Sequence, residues 1–317
     1  MINNYWRGVL LAFCTALLWG GTSPAAKIIA STGLSQITVV SYRAIFIVAV
    51  AGAWLFLTGG KEKFALSRRM FTMYFILGLF TVVLNATGFM MSCSYLSVPK
   101  ALMLHYTFPL VTMAGAFLIT KERPSFVEVL GGFLVLIGLY VGFGSGNVDD
   151  SPISVAGVVW GIVSVIGFSG QALVSRSMGK MSKSDPILQL FYSYLLGGAL
   201  LISLNSVLGG WSDIKVMTPG LFLILQYPAA FAGLVGFGCL FSSLKYIPPS
   251  TASLICTLEI VFALILAFLL LDQMPSGYEL AGSVIVMCAV ASSMFFRKSQ
   301  AEALHYFISP VVSSLLP

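Results

Sequence analysis

The chain has 317 residues, 58% hydrophobic and 9% charged, with a mean hydropathy of +0.97. No soluble domain of this size could hydrate such a surface, so the composition defines an integral membrane protein. The net charge of +6 does not point to nucleic acid, because the Lys and Arg residues lie between apolar runs and not on one aqueous face.

Taken in order, apolar runs bounded by charge, Gly or Pro predict ten membrane spans, roughly 7–29, 34–58, 69–91, 100–120, 126–145, 154–176, 185–208, 217–241, 250–271 and 277–296. The first run follows Arg7 and is too long for a signal peptide, with no A-x-A-like site behind it, so it reads as an uncleaved span. The connector GSGNVDDSPIS at 144–154 is short, polar and turn-rich. It separates a first five-helix unit, 1–146, from a second, 147–298. The remainder, 299–317, is too short to span and contains Pro310, which predicts a mobile or interfacial tail.

The two units repeat one another. Ala101–Pro124 reads ALMLHYTFPLVTMAGAFLITKERP, and Ala252–Pro275, at an offset of 151, reads ASLICTLEIVFALILAFLLLDQMP. The same offset pairs Tyr95 with Tyr246, Glu128 with Glu279 and Gly131 with Gly282. Upstream, an offset of 149 pairs Gly8 with Gly157, Gly21 with Gly170, Lys27 with Arg176 and Ser35 with Ser184. A unit with an odd number of spans inserts its second copy upside down. The expected fold is therefore an all-α polytopic membrane protein of ten transmembrane helices in two inverted five-helix repeats, a design used by many secondary transporters.

Charge sets the orientation. With a cytoplasmic N-terminus the inner segments hold Arg7, Lys61, Lys63, Arg68, Arg69, Lys121, Arg123, Arg176, Lys180, Lys183, Lys245, Arg297 and Lys298, whereas the outer segments hold only Lys100 and Lys215. Both termini are expected inside, in the cell membrane. Gly138/Gly142 and Gly157/Gly161 have the spacing that lets helices approach closely, either within the chain or across a homodimer face.

Glu259 lies deep in an apolar span, where a carboxylate costs roughly 2.5–3.5 kcal/mol and needs a partner, water or a proton. It is a candidate for proton coupling or cation recognition; the alternative is a structural acid bonded to backbone or to hydroxyls in the bundle, with Thr257 and Ser253 nearby on the chain. His105, with Tyr106, Thr107 and Phe108 beside it, is either a titrating group or a satisfied core histidine. Pro109 leaves the His105 carbonyl without its helical donor, and Pro24 does the same for Gly20 in Trp19-Gly20-Gly21-Thr22-Ser23. Pro228 breaks the eighth span after Gln226-Tyr227. Interrupted helices near the middle of both halves mark a transporter's binding site. Trp19 and Tyr227 are thus candidates for the cavity or for aromatic packing, and Asn85 and Gln171 for the cavity or for interhelical hydrogen bonds. Lys27 and Arg176 read as side chains snorkelling to headgroups. Arg43 is deeper and reads as an inter-helix clamp, an anion contact or a longer snorkel.

These residues resemble the EamA-type branch of the drug/metabolite transporter superfamily over roughly 7–296. The matching pieces are Leu18-Trp19-Gly20, Lys27, Arg43, Leu104-His105-Tyr106-Thr107-Phe108-Pro109, Lys121-Glu122-Arg123-Pro124 and Leu258-Glu259. The chain departs at Ile260, where the family commonly has proline, and at Asp272-Gln273-Met274-Pro275, where Gly-Glu-Arg is common. The resemblance implies ten helices, cytoplasmic termini, a central cavity between the repeats and export of amino acids or related metabolites.

The expected function is that of a secondary transporter moving a small metabolite by alternating access, with Glu259 and His105 as coupling candidates. A facilitative channel is the rival reading, separated from a carrier by saturable, counterflow-competent flux. An intramembrane enzyme would need a nucleophile and base or a metal set within the spans; the chain has two histidines, one of them His305 in the tail. The cysteines Cys14, Cys93, Cys239, Cys256 and Cys288 all fall inside spans and form no disulfide framework or metal spacing, so no cofactor or metal is expected. The partners expected are a small-molecule substrate and the lipid bilayer.

Overall fold

A computed structural model describes residues 2–22, 25, 28–29, 31–60, 64, 66–96, 98–144, 153–181, 185–207, 210–271 and 274–313. Among these the regular structure is entirely helical. We label the long helices α1 (Ile2–Gly20), α2 (Gln36–Gly59), α3 (Arg68–Cys93), α4 (Lys100–Thr120), α5 (Phe126–Phe143), α6 (Val155–Lys180), α7 (Pro186–Val207), α8 (Pro219–Ser243), α9 (Pro249–Leu269) and α10 (Gly277–Ser313). Among the described residues, α2 to α10 are the nine helices long and apolar enough to cross a membrane. The 19-residue α1 falls outside that set because it begins INNYWR, and Pro24 and Lys27 beyond it lie outside the described residues. The last helix does not stop at the span's end but runs on to Ser313, through most of the segment expected to be a separate tail.

Local sequence fixes the helix starts. The Ser35 and Ser67 hydroxyls accept from the amides of Ile37 and Met70, and Thr218 accepts from Leu221. α5 and α10 open with the same capping box, Ser125 with Glu128 and Ser276 with Glu279. Each glutamate accepts from its serine's amide at 2.7 Å, and each serine hydroxyl accepts from the glutamate's amide at 3.2 Å. Only the first is sealed. The Ser250 and Thr251 hydroxyls donate to the other Glu128 oxygen at 3.0 and 2.6 Å, tying α5 to α9, and Glu128 has no solvent exposure.

The packing is reciprocal in the register of the repeat. A Cβ on Gly8 would meet Tyr246 and Ile247, and one on Gly157 would meet Tyr95 and Leu96. A Cβ on Gly131 would meet Ser293 and Ala289, and one on Gly282 would meet Gly138 and Gly142, the positions 151 residues away. Gly138, Gly142, Gly157 and Gly161 thus all serve close approach within the chain, and their spacing supplies no homodimer face.

Four helices are interrupted, in two matched pairs. α3 and α8 pass through π-helical stretches at Leu79–Thr87 and Tyr227–Gly236. α4 breaks between His105 and Phe108, and α9 between Cys256 and Glu259, which is the same place in the 151 register. At both breaks the bonds shorten to i→i−3: Thr107 to Leu104 and Leu110 to Thr107, then Leu258 to Ile255 and Ile260 to Thr257. Pro109 accounts for the first break; the second forms with Ile260 in the proline's place.

Candidate functional site

The two breaks bring the intramembrane acid into the middle of the bundle. Glu259 is the first residue of the second half of α9, so its carboxyl stands at a helix N-terminus where the backbone dipole is positive. It is half-buried, with the Tyr106 side chain from the α4 break and the Thr22 side chain just beyond α1 close enough to interact with its carboxyl. The Thr22 hydroxyl is also bonded to the Trp19 carbonyl. A hydroxyl has one proton to give. If Thr22 gives it to Trp19, it meets Glu259 as an acceptor, which requires a protonated carboxyl; if it gives it to Glu259, the carboxylate is ionised and the Trp19 carbonyl is released. Donating to the Trp19 carbonyl and lying beside the acid, the Thr22 hydroxyl is placed where a rotation would let it serve either protonation state.

Thr257 and Ser253, the hydroxyls near Glu259 on the chain, do not serve it. Those hydroxyls donate to the Leu254 and Ser250 carbonyls of their own helix. His105 Nδ1 lies 2.6 Å from the Ser164 hydroxyl of α6, and its half-buried ring sits among Phe89, Tyr106, Phe108 and Phe168 at 4.8–6.0 Å. A cavity of about 310 Å³ lies between residues 33–37 and Met90 and Met91 of α3, and none of the residues of this ring cluster lines it.

Trp19 is buried. Its indole donates to the Ala232 carbonyl at 3.0 Å, and its ring packs against Phe237 at 4.8 Å and edge-on to Phe168 at 5.9 Å. Phe168 is the 149-register equivalent of Trp19, so the two rings touch across the seam between the units. The Tyr227 hydroxyl donates to the Leu18 carbonyl at 2.8 Å, bracing the end of α1, and a Cβ on Gly21 would collide with that hydroxyl. The structure thus brings Trp19, His105, Tyr106, Tyr227 and Glu259 around one centre, together with Thr22, Ser164, Phe168 and Phe237, which the sequence reading did not single out. The 149 offset from Trp19 was the available signal for Phe168.

Asn85 is buried where its backbone meets Gly167, next to Phe168. Gln171 is fully buried, and neither amide atom has a partner among the described residues, so of its two readings the interhelical hydrogen bond is not formed there. Arg43 does not snorkel: its Nε is buried, and its guanidinium lies over the Tyr194 and Phe237 rings at 5.9 and 5.7 Å.

Arg176 does not reach for headgroups either. It donates to Glu122 from Nε at 3.0 Å and from Nη2 at 2.6 Å, and from Nη1 to the Leu244 carbonyl at 2.7 Å. Lys180 adds a 3.1 Å contact to the same carboxylate. The long apolar stem of arginine suits snorkelling, but a carboxylate on the adjoining loop, reachable by a bidentate fork, is the better partner. This cluster ties the ends of α4, α6 and α8 together. Lys27, its counterpart in the register, lies outside the described residues.

A multi-pass helical bundle with broken helices meeting at an intramembrane acid is the architecture of a membrane transporter. The EamA-like transporter family model matches residues 6–143 and again 155–295, and the chain belongs to that family. It is 24% identical over 302 residues to an uncharacterized transporter of Haemophilus influenzae, covering 92% of this chain and 95% of that one. It is 27% identical over 228 residues to human solute carrier family 35 member G1, covering 67% of this chain and 59% of the human protein. A crystal structure that is 18% identical superposes with a TM-score of 0.74 over 91% of this chain and 96% of that chain, which shows a shared fold.

Proposed function

We propose that the protein is a proton-coupled secondary carrier that exports a small metabolite, such as an amino acid or related compound, across the cell membrane by alternating access. In this reading α1 is a tenth span, the units 1–146 and 147–298 are inverted repeats, and both termini face the cytoplasm. The observation that carries it is Glu259, half-buried at a helix break with Tyr106 of α4 and Thr22 at the end of α1 beside its carboxyl. Supporting it are the paired interruptions of α3 with α8 and of α4 with α9, and the family's two matches along the chain.

Proteoliposomes preloaded with unlabelled metabolites should accumulate the labelled substrate transiently by counterflow, with saturable rates. Flux that rises linearly with concentration and shows no counterflow would instead establish a channel. Topology is tested separately in a cysteine-free background. Single cysteines replacing Ser212 or Met274 should react with an impermeant maleimide in intact cells, and one replacing Ser67 only after lysis. Labelling of Ser67→Cys alone in intact cells would invert the orientation.

A further inference from the structure

Arg43 is a cation within α2 for which the carrier reading has no use. No carboxylate of the described residues pairs with it, and its buried Nε has no acceptor. The environment is nevertheless built around it. α8 presents Gly233, where a Cβ would lie 3.0 Å from Arg43 Cγ and Cδ, so the π-helical stretch makes room for the side chain. Tyr194 of α7, 1% exposed, lies under the guanidinium with its own hydroxyl buried and unpartnered. The Tyr194 and Phe237 rings steady the charge at 5.9 and 5.7 Å but offer its N–H donors no acceptor, and the buried Nε has none. Phe237 connects this cation to the centre: its ring touches Trp19, whose carbonyl holds Thr22, which contacts Glu259.

We propose that Arg43, with the Tyr194 hydroxyl beside it, is the anion-binding pole of the transport site and receives a carboxylate of the substrate, while Glu259 faces the substrate's cationic end or carries the coupled proton. A monocarboxylate fits better than a phosphate, because one guanidinium and one hydroxyl supply a single fork and no second cation. The proposal rests on the carrier reading for its transport role but not for its binding chemistry.

The test uses detergent-purified full-length protein and its thermal midpoint, with sodium acetate, a panel of amino acids and their matched amides as probes. Wild type should be raised by acetate relative to equal chloride, and should bind amino acids at least about tenfold tighter than their amides, as expected for loss of a charge-assisted pair. Arg43→Gln should abolish both differences, and Arg43→Lys should restore part of the acid preference. Amides binding wild type as tightly as acids, no wild-type response to any carboxylate, or an acid preference intact in Arg43→Gln would each overturn the proposal. If Arg43→Gln fails to fold, Arg43→Lys and the wild-type acid-to-amide comparison decide. Acids that bind through Arg43 without counterflow would sink the carrier reading and leave the anion pole standing; counterflow of carboxylate-free compounds unaffected by Arg43→Gln would do the reverse.

Discussion

Replacing Glu259 by Gln should cut net substrate movement driven by a pH gradient by more than tenfold, while exchange of labelled for unlabelled substrate without a gradient stays within about threefold of wild type. Glutamine keeps the shape of the neutral acid and offers both a donor and an acceptor to the neighbouring Thr22 and Tyr106 hydroxyls, so the arrangement in which Thr22 serves the Trp19 carbonyl is preserved. What it removes is the second arrangement, in which an ionised carboxylate draws Thr22 away. Exchange needs binding and reorientation but no net proton release, and the two assays in the same proteoliposomes therefore separate three roles. Equal loss of both, with a raised half-saturation concentration, would make Glu259 a substrate ligand. Near-normal activity in both would make it structural and end the coupling hypothesis. His105→Gln, which keeps a partner for Ser164, should shift affinity or pH dependence without abolishing exchange.

The second large effect is expected where Glu122 gathers Arg176 and Lys180 at the end of the bundle assigned to the cytoplasm. Both members of the Glu122–Arg176 pair are mostly buried, at 16% and 13% side-chain exposure. Removing one of them strands the other, at a cost of about 1.5–3 kcal/mol for charge-assisted bonds. If the cluster holds that end shut, Glu122→Gln or Arg176→Ala should shift the population toward the inward-open form by roughly 10- to 100-fold. Maleimide labelling of a cysteine placed deeper on α6 from the cytoplasmic side should rise accordingly, and unchanged labelling would reduce the cluster to a static brace. Burial alone would raise the Glu122 pKa, but Arg176 and Lys180 outweigh it and hold it below its usual 4.5. Because the tied state has the lower pKa, its advantage is complete above the ordinary carboxylate value and is lost as pH falls through the lowered one. Acidification through and below that lowered value should therefore open this end in wild type but change little in Glu122→Gln.

Much of the scaffold was legible because bilayer physics leaves few choices: long apolar runs must be helices, and an offset that pairs Glu128 with Glu279 signals duplication before any coordinates exist. Proline marked the breaks at Pro109 and Pro228. The α9 break carries no such mark, since Ile260 is an unremarkable helix former, and the π-helical stretch of α3 has no proline either. Those features come from packing against neighbouring helices. The site was legible as residue types and not as partnerships. Glu259 announced itself by its cost in an apolar run, but its partners Tyr106 and Thr22 lie far away in sequence, and nothing local separates a hydroxyl that bonds its own helix, such as Thr257, from one that crosses to another. Arg176 was misread for a related reason: its partner Glu122 belongs to a different span's end, and a lone arginine near a helix terminus looks the same whether it meets lipid or carboxylate.

The matched breaks in α4 and α9 are equivalent in place but not in what they permit. Pro109 has no amide hydrogen, so α4 can never recover the bond to the His105 carbonyl. Ile260 has one and currently gives it to Thr257 at 3.2 Å, one residue short of the regular acceptor on Cys256. α9 can thus heal into a continuous helix by moving each of its short bonds, from the amides of Thr257, Leu258 and Ile260, back by one residue, a rearrangement closed to α4. Healing would turn Glu259 about the helix axis and away from a dipole end that no longer exists. One half of the molecule carries a fixed joint and the other a reversible one, so a duplicated scaffold has the means to behave as a ratchet whose moving tooth is the acid.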